Sequence, residues 1–413
     1  MPGDGFLTVG AVGGRENDRS VKGQAVDADI EETADHRAQG KDKNVDKHRR
    51  KLYSCPGIMS MEMNDLLKRM STENASDLLL TVGVPPILRI TGQLVKTALE
   101  VLDAATVKKL CYSLISEEQI KRLEKERELD FSAELGDSRF RINFHFTRGA
   151  VGGAIRRIPR IIPTRDELKL PKIVEYFCNL PRGLVLVTGP TGCGKTTTQA
   201  SMIDMVNSTR AAHILTVEDP IEYVHSHKKS IIEQREVGSD TLSFPEALRR
   251  VLRMNPDVIL VGEMRDLDTI QTALTAAETG HLVISTLHTP DAPQAVDRIV
   301  DVFPPYQQAQ VRIQLSMTIQ GVVAQQLLPR KDGKGMVPAV EIMVATQAVR
   351  NIIRKSSTPE LYSVIEMGGQ YGMQKMDASL KELYENNIIS QQDALNRAQN
   401  REQLEKALKP QAI

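Results

Sequence analysis

The most explicit chemistry in the sequence lies at Gly189-Pro190-Thr191-Gly192-Cys193-Gly194-Lys195-Thr196, which matches G-x-x-x-x-G-K-[ST] in full. Glycines in such a loop let backbone N–H groups approach phosphate oxygens with no Cβ in the way. A helix starting near Lys195 adds the positive end of its dipole. In that arrangement Lys195 reaches the β- and γ-phosphates of a nucleoside triphosphate such as ATP, and Thr196 ligates Mg²⁺, with Thr197 completing the binding run. An apolar run at 184–188 precedes the loop and a helix-compatible run at 197–206 follows it. A chance glycine-rich turn would have neither flank.

Three further polar groups are candidates for the hydrolytic step. Glu263 follows the apolar run Val258-Ile259-Leu260-Val261 and is the candidate general base or water-orienting residue. Gly262 stands where many P-loop enzymes place an Asp, which shifts Mg²⁺ ligation towards Asp219 or Glu222. His288, after the run at 282–287, reads as a γ-phosphate sensor. The plainer readings are a helix-dipole carboxylate for Glu263, a surface ion pair for Glu222 and a structural histidine for His288. Cys193 lies near a helix N-terminus, which can lower a thiol pKa and make a redox switch. The plainer reading is a small residue that fits the turn. Arg249, Arg250 and Arg253 share a helix, while Arg139, Arg141 and Arg148 lie on a hairpin. Each can be a solvated charge or an arginine supplied to a phosphoryl-transfer site, including one on a neighbouring subunit.

These groups must be positioned by an ordered scaffold. From residue 171 strands alternate regularly with helices, which implies an α/β fold with a parallel sheet and crossover connections. The strands fall at 184–188, 214–218, 257–262 and 282–287. Ligands in such sheets gather at the carboxyl ends of the strands. The phosphate loop, the run Glu218-Asp219-Pro220-Ile221-Glu222, Glu263 and His288 all follow strand ends, so they should converge on one edge. Ser243 with Glu246 reads as a capping box with Pro245 in the first turn, and Pro256 closes that helix. Asp266 caps the next helix, which ends near Gly280. Positions 171–345 form this core, and 346–413 read as a helical C-terminal region.

Upstream, residues 59–158 read as a smaller α/β domain, joined by a proline-marked linker at 159–170. It should contain a helix from Asn64, strands at 78–82 and 87–90, a turn at Thr91-Gly92, and a helix capped by Asp103 running to about Glu118. A second charged helix to about Glu128 follows. A hairpin at 130–135 and 138–146 turns at Gly136-Asp137, with alternation in Phe140, Ile142 and Phe144. Residues 1–58 differ: from Arg15 to Lys51 charges of both signs mix without periodicity, so this extension is expected to be disordered. Met59, Met61 and Met63 follow at once. Either natural translation starts at one of them or the extension is a regulatory tail.

Composition sets bounds. The 413 residues carry 53 Lys+Arg and 53 Asp+Glu, a formal net charge of zero. With aromatics at 4% and no Trp, the chain offers neither a basic field nor stacking surfaces for nucleic acid. Its four cysteines form no C-x-x-C pair, so neither a zinc module nor a disulfide framework is indicated, and isolated thiols fit a reducing compartment. No apolar run approaches the roughly 20 residues of a membrane span. The protein is therefore expected to be cytoplasmic, without direct membrane insertion.

The motifs together resemble a known family. Thr216 through His225, TVEDPIEYVH, resembles the Asp box of the secretion-type ATPases. Asp257 through Asp266 resembles their atypical Walker B, and Thr275 through Thr289 their His box. The set is similar to the PilT family of type IV pilus retraction ATPases. The likeness extends to Ala75-Ser76-Asp77-Leu78, Gly83-Val84-Pro85-Pro86, Ala348 to Arg354 and Gly372 to Asp377. It implies a PAS-like N-terminal domain, a RecA-like ATPase core and a homohexamer. ATP would bind between the domains, and hydrolysis would drive pilin disassembly and twitching motility at the cytoplasmic face of the inner membrane. Implied partners are the inner-membrane pilus platform protein and a paralogous retraction ATPase. Residue by residue, the resemblance implies Lys195 on phosphate, Glu222 as Asp-box acid, Glu263 as catalytic acid and His288 as the His-box residue. The family often has His where Leu79 stands, and Ser-Gly-Lys-Ser where Cys193-Gly194-Lys195-Thr196 stands. Alternative readings are an accessory, nucleotide-binding coupling paralogue and a DNA-uptake or translocation ATPase.

Overall fold

A computed structural model describes residues 61–408 apart from positions 91, 136, 137, 159, 160 and 334. The extension at 1–58, Thr91 and the expected hairpin turn at Gly136-Asp137 lie outside the described residues. The chain builds two sheets with helices, an α/β architecture.

The first sheet has six strands in the order β3-β2-β1-β6-β5-β4 and is antiparallel throughout. Its strands are β1 (Asp77–Leu80), β2 (Ile87–Ile90), β3 (Gln93–Lys96), β4 (Glu128–Leu135), β5 (Ser138–Thr147) and β6 (Ala150–Ile158). Helices α1 (Met63–Thr72), α2 (Ala104–Tyr112) and α3 (Glu117–Glu126) accompany it. Along β5 the period of two buries Phe140, Ile142 and Phe144 in a core with Leu67, Met70, Leu78 and Leu88. The same alternation puts Arg139 and Arg141 on the opposite face. The two helices expected from Asp103 to about Glu118 and on to about Glu128 are present, with the break earlier than expected. Asp103 caps α2, which ends at Tyr112, and Ser116 starts α3 with a full capping box to Gln119. Strand β6 contains Gly152 and Gly153, residues that weaken a strand signal. Here they admit neighbours: a Cβ on Gly153 would stand 3.2 Å from the Phe144 ring.

The second sheet has seven strands in the order β13-β12-β7-β11-β10-β8-β9. They are β7 (Gly183–Thr188), β8 (His213–Glu218), β9 (Ile231–Glu236), β10 (Val258–Val261), β11 (Leu282–Leu287), β12 (Ile319–Pro329) and β13 (Met336–Val344). All pair parallel except the β12–β13 hairpin. Strands β7, β10 and β11 are buried at every residue, because both faces are covered. Leu184 and Leu186 pack towards α7 (Leu267–Glu278), α8 (Ala292–Asp301) and α9 (Pro305–Thr318). Val185 and Val187 pack towards α4 (Ile173–Cys178) and α5 (Lys195–Thr209). Ser243 accepts the Glu246 N–H to open α6 (Phe244–Val251), which ends five residues before Pro256. Asp266 accepts the Thr269 N–H to open α7.

The chain beyond β13 is helical: α10 (Gln347–Lys355), α11 (Glu360–Met367), α12 (Met376–Glu385), α13 (Gln391–Arg397) and α14 (Arg401–Leu408). Arg350 on α10 donates to the Ser316 and Met317 carbonyls at 2.7 and 2.9 Å, satisfying the open C-terminal end of α9. No helix among the described residues is long and apolar enough to cross a membrane.

Candidate active site

The parallel sheet brings the carboxyl ends of β7, β8, β10 and β11 to one edge. The loop at 189–194 leaves β7 and enters α5 directly. Gly189, Gly192 and Gly194 have φ of 143°, 77° and 88°, in the left-handed region that favours glycine. Gly189 is also forced by packing: a Cβ there would lie 2.2 Å from the Gln325 carbonyl oxygen. Gln325 on β12 supports the loop from behind. Its Nε2 donates to the Cys193 carbonyl at 2.6 Å and its Oε1 accepts from the Thr198 hydroxyl at 2.9 Å. Nothing in the local sequence marks Gln325, since it lies in a strand without a motif.

Lys195 folds back on its own loop, donating to the carbonyls of Gly189 and Pro190 at 2.9 and 3.1 Å. Burial pulls its pKa down, while the Cys193 thiol and the Glu263 and Glu222 carboxyls oppose that shift. The lysine is thus close enough to feel the charge of both acids picked out from the sequence. Pro190, Thr191 and Gly192 are exposed, and Thr196 and Thr197 are half-buried at the start of α5. The Thr197 hydroxyl lies 3.1 Å from the Tyr223 hydroxyl, joining α5 to the segment after β8. Cys193 is buried, and burial pushes its thiol up rather than down. That disfavours thiolate chemistry and favours the turn-fitting reading over a redox switch.

Glu263 stands two residues beyond β10. Its Oε2 lies 3.2 Å from His288 Nε2, and its Oε1 pairs with Arg265. The structure therefore brings Glu263 and His288 together. Thr188, at the end of β7, donates to the Thr289 carbonyl at 2.6 Å and accepts the Thr289 N–H at 3.0 Å. The phosphate loop's strand and the His288 segment are thereby fixed to each other. Gly262 lies against the β8 end, where a Cβ would stand 3.3 Å from the Val217 carbonyl and 3.4 Å from the Glu218 Cα. Any side chain at that position would press on the β8 backbone, which would have to give by a few tenths of an ångström.

Glu222 is half-exposed, and its Oε1 lies 3.7 Å from Arg141 Nη1, an arginine of the antiparallel sheet. Asp219 sits in the same segment, and burial pushes its carboxyl up against the opposing pull of Arg141. A cavity of about 630 Å³ opens between the two sheets, lined in part by Arg141, Asp219, Glu236 and Arg265. Glu218, at the very end of β8, is buried, and burial pushes it up to about 7 although Thr216 and Gln234 both donate to it. Of the other sequence-flagged arginines, Arg249 pairs with Asp268 and Arg250 with Glu246, both on the surface. Arg148 is exposed at a tight turn with φ of 52°. Arg139 pairs with Glu236.

A strand–glycine loop–helix unit with lysine at the helix start, facing an acid–imidazole pair on adjacent strand ends, defines the P-loop ATPase class. Comparison with known proteins narrows it. Residues 167–411 match the family model described as type II/IV secretion system protein. The type IV pilus retraction ATPase PilT of Pseudomonas aeruginosa is 48% identical over 340 residues, covering 82% of this chain and 98% of that protein. The type IV pilus ATPase PilU of the same organism is 39% identical, covering 84% and 92% respectively. A crystal structure of the pilus retraction motor PilT with bound ADP superposes with a TM-score of 0.78 at 46% identity, over 84% of this chain and 99% of that one. The chain belongs to the PilT branch of the type II/IV secretion system protein family. The resemblance stated from the motifs is thereby shown, and with it the secretion ATPase fold.

Proposed function

We propose that this chain hydrolyses ATP with Mg²⁺ as the subunit of a homohexameric motor that powers type IV pilus retraction. The observation that carries the reading is the Glu263–His288 pair, 3.2 Å apart on strand ends beside the phosphate loop. The likeness to PilT supports the pilus as the load. Among the alternatives, the main retraction motor is favoured over an accessory paralogue because identity to PilT exceeds identity to PilU. The motor works at the cytoplasmic face of the inner membrane, with the pilus platform protein and a second retraction ATPase as partners.

The loop fits a nucleotide. Gly192 has φ of 77° and nothing within 4 Å of where its Cβ would be, so backbone N–H groups there are open to a phosphate. Beside the start of α5 lies a pocket of about 230 Å³ lined in part by Gly194, Thr197, Leu327, Arg330, Met336 and Pro338. Its apolar walls suit a base. Lys195 exchanges its two carbonyl partners for phosphate oxygens. Gly189 through Thr197 form the phosphate-binding run. Thr196 and Glu222 would hold Mg²⁺, which would supply charge neutralisation at the phosphates. Glu263 orients or deprotonates the attacking water, and His288 on its Oε2 fixes that carboxylate and senses the γ-phosphate. Arg265 has to release Glu263 for that step. The domain plan follows from the same reading: a PAS-like unit over 59–158, a linker at 159–170, a RecA-like core over 171–345 and a helical region from 346.

The test is turnover by the purified full chain. Glu263→Gln should bind a fluorescent ADP analogue as wild type does while kcat falls about 10²–10⁴-fold, the range for losing a general base. Normal turnover in that variant would refute the assignment. In cells deleted for the gene, wild type should restore pilus retraction and Lys195→Ala should not.

A further inference from the structure

Glu236 is the last residue of edge strand β9, placed beside Glu218 by the parallel register. It is 7% exposed. Its Oε2 accepts the Ile221 N–H at 3.1 Å, inside the segment that carries Asp219 and Glu222. The same carboxylate reaches the antiparallel sheet. Ser132 Oγ lies 3.2 Å from both of its oxygens, and Arg139 Nη2 donates to Oε2 at 3.1 Å and to Ser132 Oγ at 2.9 Å. A single buried carboxylate therefore joins a backbone amide next to Glu222 to strands β4 and β5.

The register of β5 makes this junction more than adhesion. Arg139 and Arg141 are two residues apart, so they share a face of the strand. Arg141 meets the Glu222 carboxylate, and Arg139 meets the carboxylate that holds the Ile221 amide. A rigid-body displacement of the antiparallel sheet must shift both grips on the segment together. Arg139 is also incompletely satisfied: its Nε is buried with no hydrogen-bond partner among the described residues. A grip with an unfilled donor is easier to open than a fully bonded one.

We propose that Glu236 is a positioning residue. With Arg139 and Ser132 it forms a latch through which the orientation of the antiparallel sheet sets the place of Glu222 beside the phosphate loop. The inference rests on the role proposed above for Glu222. Charge is central to it: the mostly buried carboxylate lines the cavity between the sheets and is held on the Ile221 N–H by Arg139, which balances its charge. Without the arginine the carboxylate turns to solvent and the segment loses its anchor.

The experiment uses the full chain as Glu236→Gln, Arg139→Gln, their double variant, Arg139→Lys and Glu222→Gln. Steady-state ATP hydrolysis and amide hydrogen exchange of residues 219–223 are read for each. Glu236→Gln and Arg139→Gln should each lower kcat about tenfold with KM within about twofold, and the double variant should fall no further, because coupled residues are non-additive. Exchange at Ile221 should rise in both, and Arg139→Lys should recover most of kcat. Additive losses in the double variant, or unchanged exchange at Ile221, would overturn the latch. If Glu222→Gln alone turns over normally while exchange still rises in Glu236→Gln, the latch stands and the role of Glu222 falls. Should Glu236→Gln fail to fold, Ser132→Ala removes one strut and is read the same way.

Discussion

In the parallel sheet, strands such as Val258–Val261 and Leu282–Leu287 are buried on both faces, whereas in the antiparallel sheet β5 buries every second side chain. The first arrangement leaves chemistry nowhere to go but the strand ends. Glu218, Glu263, His288 and the phosphate loop all stand there. The second arrangement frees one whole face, and that face carries Arg139 and Arg141 to the acids of the other sheet. One sheet supplies a reactive edge and the other a charged surface that opposes it. Substitutions in the two should therefore differ in kind.

The sharpest contrast pairs Phe144→Ala with Lys195→Ala. Phe144 is fully buried, so its truncation should cost about 3–5 kcal/mol of stability and leave turnover per folded molecule near wild type below the lowered melting point. Lys195→Ala should cost about 10²–10³-fold in kcat, as for loss of one preorganised charge contact, with the melting point nearly unchanged. Calorimetry and turnover on the same samples check both. A Phe144→Ala protein that stays stable but inactive would break the division.

A smaller effect separates two buried titratable groups flanking β8. Glu218 is raised to about 7 from an ordinary 4.5, so it favours the fold in its protonated form. Its contribution is present below about 4.5 and is lost as pH rises to about 7, a change of up to about 3 kcal/mol. His225 is lowered to about 4 by burial, so its contribution is present above about 6.5 and is lost as pH falls to about 4. Melting curves from pH 4 to 8 should show Glu218→Gln removing a fall in stability between about pH 4.5 and 7, and His225→Asn removing a rise between about pH 4 and 6.5. A Glu218→Gln profile that keeps the wild-type slope above pH 5 would refute the first. The smallest effect is expected at Arg249, whose pair with Asp268 is exposed on both sides: Arg249→Gln should change stability by no more than about 0.5 kcal/mol.

The reactive edge was largely legible in the sequence and the opposing surface was not. A phosphate loop is a local pattern, and the strands that flank it are apolar runs bounded by polar residues. Glu263 and His288 could be placed because each stands within two residues of the end of such a run. The period of two in Phe140, Ile142 and Phe144 was equally plain. By contrast Glu222 meets Arg141, and Glu236 meets Arg139, across about 80 to 100 residues of chain, and no periodicity encodes that meeting. Strand β9 reads IIEQRE, too polar to announce itself, and Glu236 ends it unmarked. Strands β12 and β13 escape the sequence pattern for a related reason: a hairpin added at the sheet's edge follows no βα alternation. The break between α2 and α3 is legible in the sequence near Glu118, and the Ser116–Gln119 capping box, equally readable, sets it a few residues earlier.

Gln325 gives the phosphate loop an unusual mechanical property. With the Gly189 Cα seated against its carbonyl, its Nε2 on the Cys193 carbonyl and its Oε1 on Thr198, the loop has almost no clearance relative to β12. The β12–β13 hairpin continues into the C-terminal helices, so Gln325 ties that part of the chain to the glycine loop.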